Sequence, residues 1–146
     1  MTTNLFTIGF TRKSAEEFFT RLQKANVRRV LDIRLNNTNQ LAGFSKRDDL
    51  RYFLVAIGGI EYEHLPELAP TQEILEGFKK KGGGWYRYEK AFLDLLKERR
   101  VHERIRREDL ERACLLCSEP EPDRCHRRLV AEYLAARWPN LTIVHL

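Results

Sequence analysis

Short apolar runs spaced by helix-patterned chain constrain this sequence more than any other feature. Leu5 to Ile8, Arg29-Val30-Leu31-Asp32-Ile33, Ile60 to His64, Ala113-Cys114-Leu115-Leu116-Cys117 and Leu141 to Val144 read as five strands. The runs at 29–33 and 113–117 are almost continuously apolar, which is the pattern of strands covered on both faces. Between the first two, Ser14 and Glu17 have the spacing of a capping box, and Ala15, Phe18, Phe19 and Leu22 recur on one helical face. Ser45 is placed to cap a second helix, with Leu50, Phe53, Leu54 and Ile57 on one side and Gly58-Gly59 as its stop. Thr71 opens a short helix that must end by Gly82-Gly83-Gly84, where a hinge is expected. A stripe from Trp85 to Leu96 and another through Leu129, Val130, Tyr133 and Leu134 supply the remaining helices, the last stopping at Trp138-Pro139-Asn140. Strands alternating with helices in this way predict a single α/β domain, a three-layer αβα arrangement of about five strands in a mostly parallel or mixed sheet.

Composition narrows the functional classes. A chain of 146 residues has the length of one domain, and 42% hydrophobic residues are enough for a real core. No run approaches the roughly 20 apolar residues of a membrane span, and no secretory h-region is present, so the expected setting is cytoplasmic with no membrane partner. Three cysteines cannot all pair with one another, which points to reduced thiols rather than a secreted disulfide framework. The net charge of +5 favours phosphate-bearing partners, either a small molecule or a nucleic acid. Twelve of the sixteen residues from Lys97 to Arg112 are charged, seven basic and five acidic, and this stretch is expected to be a solvated helix or helix pair.

If the strands are parallel, the loops that follow them collect at one edge of the sheet, where ligands bind in open α/β folds. That edge then gathers Gly9, Thr11 and Arg12; Asp32 and Arg34; Tyr62 and His64; and Cys117 and Glu119. The densest stretch runs from Cys117 to Arg128, leaving a strand, turning at Pro120 and Pro122, and entering a helix. A helix N-terminus carries unsatisfied amides and a partial positive charge, and acids normally gather there. Here Arg124, His126, Arg127 and Arg128 gather instead. An external anion such as phosphate would resolve the conflict, with Arg34, Arg124, Arg127 and Arg128 as anion-binding forks. Glu119, Glu121 and Asp123 are the competing internal neutralisers.

Cys125, at the helix start, has a thiolate favoured by the dipole and its basic neighbours, and Cys117 at the strand end is the second reactive candidate. The pair reads as a nucleophile with His126 or His64 as base, as a redox couple, or as two buried structural thiols; in the first reading Asp32 or Glu119 would orient the imidazole. Cys114 and Cys117 have C-x-x-C spacing, but two leucines in a strand separate them and an odd separation sends their side chains to opposite faces, so no metal is expected. Six places after Cys117 stands Asp123 rather than the arginine of a cysteine-phosphatase loop. No glycine-rich phosphate loop occurs, and no cofactor is expected.

Several pieces carry a family likeness: Thr7-Ile8-Gly9, Leu31-Asp32-Ile33-Arg34, Phe44-Ser45-Lys46, Gly59-Ile60-Glu61-Tyr62 with Leu65-Pro66, Tyr88 before an apolar helix, and Leu116-Cys117-Ser118-Glu119 leading to Cys125-His126-Arg127. Together they resemble the domain-of-unknown-function 488 family over nearly the whole chain. The resemblance implies a compact three-layer α/β protein whose site includes Asp32, Arg34, Cys117, Glu119, Cys125, His126 and Arg127. Gly9-Phe10-Thr11 stands where the family commonly has Gly-His-Ser, so no role for that histidine carries over. Three functions remain in view: an enzyme acting on a phosphorylated metabolite, nucleotide or nucleic acid; a nucleic-acid-binding module reinforced by Arg104, Arg106 and Arg107; and a thiol sensor closing a Cys117–Cys125 disulfide.

Overall fold

Five parallel strands form one sheet in the order β3-β2-β4-β1-β5, with β1 at Thr3–Gly9, β2 at Arg29–Asp32, β3 at Glu61–His64, β4 at Ala113–Cys117 and β5 at Leu141–His145. Five α-helices connect them: α1 Ala15–Lys24, α2 Arg47–Gly58, α3 Gln72–Lys80, α4 Gly84–Arg99 and α5 His126–Arg137. The computed structural model describes residues 2–38, 43–80, 84–119, 122 and 125–146. The single three-layer α/β domain read from the strand-helix alternation is therefore what forms, with every pairing in the parallel sense.

Alternation along the buried strands fills two cores. Cys114 and Leu116 point with Phe6, Ile8 and Val30 toward Phe18, Phe19 and Leu22 of α1 and Leu50 and Leu54 of α2. Ala113 and Leu115 point the other way with Leu5 and Leu31, against Phe92 and Leu96 of α4 and Leu129, Val130 and Leu134 of α5. The odd separation of Cys114 and Cys117 thus has the predicted result: Cys114 is enclosed beneath α1 and α2, while Cys117 meets α5.

Several local expectations are refined. Ser14 does cap α1, accepting the Glu17 amide, but the Glu17 carboxylate turns to Arg21 at 2.7 Å instead of closing the box. Ser45 does not cap α2. It is buried within a 3₁₀ turn, Gly43–Ser45, so the helix begins two residues later with Lys46 as its N-cap and Asp48 and Asp49 facing the dipole. Ile57 lies at the rim of the α2 stripe, 46% exposed. Gly59 ends α2 in a left-handed conformation, φ 61°, with the Gly59 and Ile60 amides donating to Val55 and Leu54, a closure that glycine adopts without steric cost. Of the triple glycine, Gly82 and Gly83 lie outside the described residues, and Gly84 opens α4.

The charged stretch from Lys97 to Arg112 is not a helix pair. After α4 ends at Arg99 it forms two 3₁₀ turns, Val101–Glu103 and Arg107–Leu110. Val101, Ile105 and Leu110 are buried in the α4–α5 core, so three apolar anchors at irregular spacing override the helical charge pattern. No helix among the described residues is long and apolar enough to cross a membrane.

The topology fixes where a site can form. The connection from β2 runs outward to β3, and the connection from β4 runs the other way to β5. Chain leaving the adjacent strands β2 and β4 therefore diverges, and beyond the carboxyl ends of such a pair is where open α/β sheets bind ligands. Register brings Asp32 level with Leu116 and with His64, and Gly9 level with Cys117, so all four strand ends reach the same edge.

Candidate functional site

The sulfur cluster is built by β4 and the start of α5. Cys117 ends the strand and is 4% exposed, Cys125 is the N-cap of α5, and His126 and Arg127 occupy its first turn, all buried. The Cys117 Sγ lies 3.3 Å from His126 Nδ1. His126 Nε2 is 2.6 Å from the Ile33 carbonyl oxygen. A carbonyl can only accept, so Nε2 carries a hydrogen, and in the neutral ring it is the Nδ1 lone pair that faces Cys117. Phe92 holds the ring edge-to-face at 5.5 Å.

Opposing effects act on the Cys117 thiol. Burial pushes it up, but the Cys125 thiol donating to it, the Arg127 charge and the amides of Ser118 and Glu119 together outweigh burial and bring it below its ordinary value. Cys125 moves the opposite way, pushed well up by burial and by the hydrogen bond and charge of Cys117. The pair is thus polarised, with Cys117 the readier of the two to ionise and Cys125 placed as its hydrogen-bond donor. The sequence made Cys125 the more acidic candidate on the strength of the helix dipole. The structure reverses that order, because a thiol hydrogen, the Arg127 charge and two backbone amides converge on Cys117. Cys114, wholly enclosed, is pushed far above the usual thiol value by burial.

Glycine is required beside this cluster. A Cβ on Gly9 would lie 1.6 Å from the Glu119 carbonyl oxygen and 2.9 Å from Arg127 Nη1. The Thr11 amide donates to the Ser118 carbonyl at 3.1 Å, tying the end of β1 to the same loop. Arg127 is 1% exposed and donates to the Glu119 carbonyl at 2.6 Å and toward Cys125 Sγ at 3.5 Å.

A second cluster stands at the ends of β2 and β3. Asp32 and Arg34 form a two-pronged ion pair, both bonds 2.8 Å, with 0% and 2% of their side chains exposed. Tyr62 donates to the same carboxylate at 2.6 Å and Asn37 reaches it at 3.4 Å. Burial pulls the Asp32 carboxyl up, and the bonds and charge of Arg34 with the Tyr62 hydroxyl outweigh it, leaving it below the usual carboxylate range. The Tyr62 phenol is pushed up, first by burial and then by Asp32. His64 bonds the Arg34 carbonyl at 2.9 Å, so it is His126 and not His64 that faces the thiols.

A family model described as "Domain of unknown function DUF488" matches residues 14–134. The chain belongs to the DUF488 family. No curated protein and no solved structure matches it.

The matched span holds both clusters of this DUF488 protein, while Gly9 lies just before it. Among the residues named from sequence, Cys117, Cys125, His126 and Arg127 converge, and Asp32 and Arg34 pair with each other. Glu119 joins through its main chain, its side chain being exposed. Arg128 pairs with Glu132 at 3.2 Å and lies over the Trp85 ring. Arg124, Glu121 and Asp123 lie outside the described residues. The sequence reading named Gly9 and Tyr62 on this edge and Tyr88 in the family likeness, but it did not disclose the steric need for glycine at 9, the bond from the Tyr62 hydroxyl to Asp32, or the approach of Tyr88 to the thiols. The Tyr88 phenol is raised by burial and then by the charges of Cys117, Cys125 and Glu119, which places it beside the thiols. Its position one helical turn before Phe92 was the available signal.

Cys117, Cys125 and His126 are the described groups able to share a metal ion, their ligand atoms lying within 4.8 Å of one another. The Arg127 guanidinium, 3.5 Å from one of those sulfurs, sets a buried positive charge where a dication would have to sit.

Proposed function

We propose that this DUF488 protein is an enzyme that directs the Cys117 thiolate at a phosphate-bearing small molecule or nucleotide. The supporting observation is the convergence of the Cys125 thiol, the Ser118 and Glu119 amides and the Arg127 charge on one sulfur, with the His126 Nδ1 lone pair 3.3 Å away. Donors that hold a thiolate also hold the oxygens of an anion, and they need no reorganisation as charge develops.

In the proposed reaction His126 Nδ1 takes the Cys117 proton while Nε2–H stays on the Ile33 carbonyl. The sulfur attacks phosphorus, an S–P bond forms as the P–O bond to the leaving group breaks, and the departing oxygen receives the proton from His126. Water then attacks phosphorus, returning the electron pair to sulfur and releasing phosphate. Arg127 is the proposed anion-facing cation. Arg34 has two of its nitrogens committed to Asp32, and Arg128 lies against Glu132 and Trp85.

The nucleic-acid module has weaker support. Arg29 and Arg106 line a groove of about 560 Å³ beside β3, but Arg29 is paired with Glu61 and Asp109, and Arg106 with Asp109.

Iodoacetamide labelling of the reduced protein near neutral pH, followed by peptide mapping, tests the proposal. Cys117 is expected to be alkylated first, and inorganic phosphate or vanadate to slow that labelling. A panel of phosphomonoesters is expected to yield phosphate with the wild type and none with Cys117→Ser. Labelling indifferent to both anions, together with no turnover, overturns the reading.

A further inference from the structure

Two buried thiols of opposite character face each other at the β4–α5 junction, and the reaction proposed above uses only one of them. Cys125 contributes a hydrogen to Cys117 and is otherwise held away from ionisation. A group that merely donated a hydrogen bond would need no sulfur; serine is the ordinary donor at a helix N-cap, and Cys125 makes no side-chain cap bond. The sulfur of Cys125 is therefore unexplained by α5 and by the phosphoryl reading alike.

We infer that Cys117 and Cys125 form a peroxide-responsive modification site, in which Cys117 is the oxidised sulfur and Cys125 the resolving thiol that closes a reversible disulfide. This deepens the proposed function, and it rests on that reading only for the nucleophilic character of Cys117. The ligand class is a hydroperoxide, ROOH.

The steps follow from the donor set. The Cys117 thiolate attacks the distal oxygen of ROOH; an S–O bond forms, the O–O bond breaks, and two electrons pass from sulfur to oxygen. The alkoxide leaves as ROH with the proton that His126 took from Cys117. Cys125 then gives up its proton and its sulfur attacks Cys117; the S–S bond forms, the S–O bond breaks, and hydroxide departs with that proton as water. Two thiols and one hydroperoxide become one disulfide, ROH and water. As the Cys117 charge disappears, the effect that most distinguishes Cys125 from an ordinary buried thiol disappears with it. Arg127, 3.5 Å from Cys125 Sγ, faces the sulfur that must then ionise. The ligand atoms of the trio lie within 4.8 Å, so the sulfurs are near each other before reaction. Seven residues lie between them in sequence, and the described ones among these, Ser118, Glu119 and Pro122, are in neither helix nor strand, so closure need not break β4. Cys114 is excluded, since it points into the opposite core.

The test treats fully reduced wild-type protein with one equivalent of hydrogen peroxide, unfolds it in denaturant, blocks remaining thiols with N-ethylmaleimide, and measures intact mass before and after dithiothreitol. The expected product is a monomer lighter by two hydrogen atoms before blocking, with one thiol left to label, a peptide linking Cys117 to Cys125, and full recovery on reduction. Cys125→Ser is expected to stop at a dimedone-reactive Cys117 and to proceed to irreversible oxidation with excess peroxide, and Cys114→Ser to behave as wild type. Wild-type protein that gains oxygen at Cys117 without forming the linked peptide overturns the inference, as does a disulfide that includes Cys114. The wild-type measurement stands even if a variant fails to fold. Anion protection is measured on reduced protein without oxidant, so loss of the phosphoryl reading and loss of the disulfide are separate results.

Discussion

Two charged clusters share one edge of the sheet and handle buried charge in opposite ways. At the end of β2, Arg34 meets a carboxylate through two bonds, and that carboxylate is further covered by Tyr62 and Asn37. At the end of β4, Arg127 meets a carbonyl and a sulfur, and no described carboxylate reaches the thiols. The first cluster neutralises itself. The second collects donors around a group whose charge can come and go. Since buried ion pairs add little net stability but are costly to break, the first cluster is expected to act as a fixed wall, and the second is the reactive centre of the proposed function. The His126 ring joins them, because its Nε2 hydrogen is held by Ile33, the residue between Asp32 and Arg34.

The largest effect is expected on the wall. Asp32→Ala leaves the Arg34 guanidinium, 2% exposed, without its counter-charge, and should cost about 3–5 kcal/mol by urea denaturation. The wild-type pair has a pH signature of fixed sign. The Asp32 carboxyl is depressed in the folded state, so its contribution is fully present above the unfolded value of about 4 and is lost as pH falls from there through the lower folded value. Stability of Asp32→Ala should therefore decline less over that acid range. An equal decline in both proteins breaks the contrast between wall and centre.

Gly9→Ala comes next. Its methyl group would overlap the Glu119 carbonyl and crowd Arg127, and a shift of that loop should cost about 1–3 kcal/mol while moving the Ser118 and Glu119 amides off the sulfur. Cys117 alkylation should then require higher pH. Arg127→Met sharpens the same point without a clash at Gly9: removal of the buried charge should slow Cys117 alkylation at neutral pH by roughly tenfold and shift its pH profile upward. A profile that stays in place shows that the amides and Cys125 alone hold the thiolate.

Much of this was legible in the sequence, and the failures share a cause. Periodicity and near-continuous apolar runs disclosed the layers and all five strands, since burial on two faces leaves a pattern local to each run. The carboxyl-edge rule then brought Asp32, Arg34, Tyr62, His64, Cys117 and Glu119 into one neighbourhood, and the basic start of the last helix added His126 and Arg127. What stayed hidden depended on approach between distant segments. The Gly9 requirement exists only because the Glu119 main chain passes beside β1, and the preference for Cys117 over Cys125 depends on the Cys125 thiol, the Arg127 charge and two loop amides meeting at one sulfur. Ser45 misled because a 3₁₀ turn was inserted before α2, and the charged stretch misled because Val101, Ile105 and Leu110 outweighed the charge pattern. Arg34 looked like an anion fork because a guanidinium two residues from an aspartate reads the same whether or not the two close on each other.

The smallest effect is expected at Cys114, which separates position on the strand from membership in the cluster. It lies three residues before Cys117 on β4 but is packed with Phe6, Ile8 and Leu116 under α1 and α2, 0% exposed. Burial holds its thiol far above the ordinary value, so in the folded state it should resist alkylation across the range in which Cys117 reacts. Cys114→Ala removes one buried sulfur from an apolar pocket and should cost about 1 kcal/mol. Because the two side chains leave opposite faces of the sheet, the Cys117 pH profile should be unmoved. If it shifts, the thiolate is being set by packing transmitted through β4, and the donors around Cys117 are not sufficient to explain its acidity.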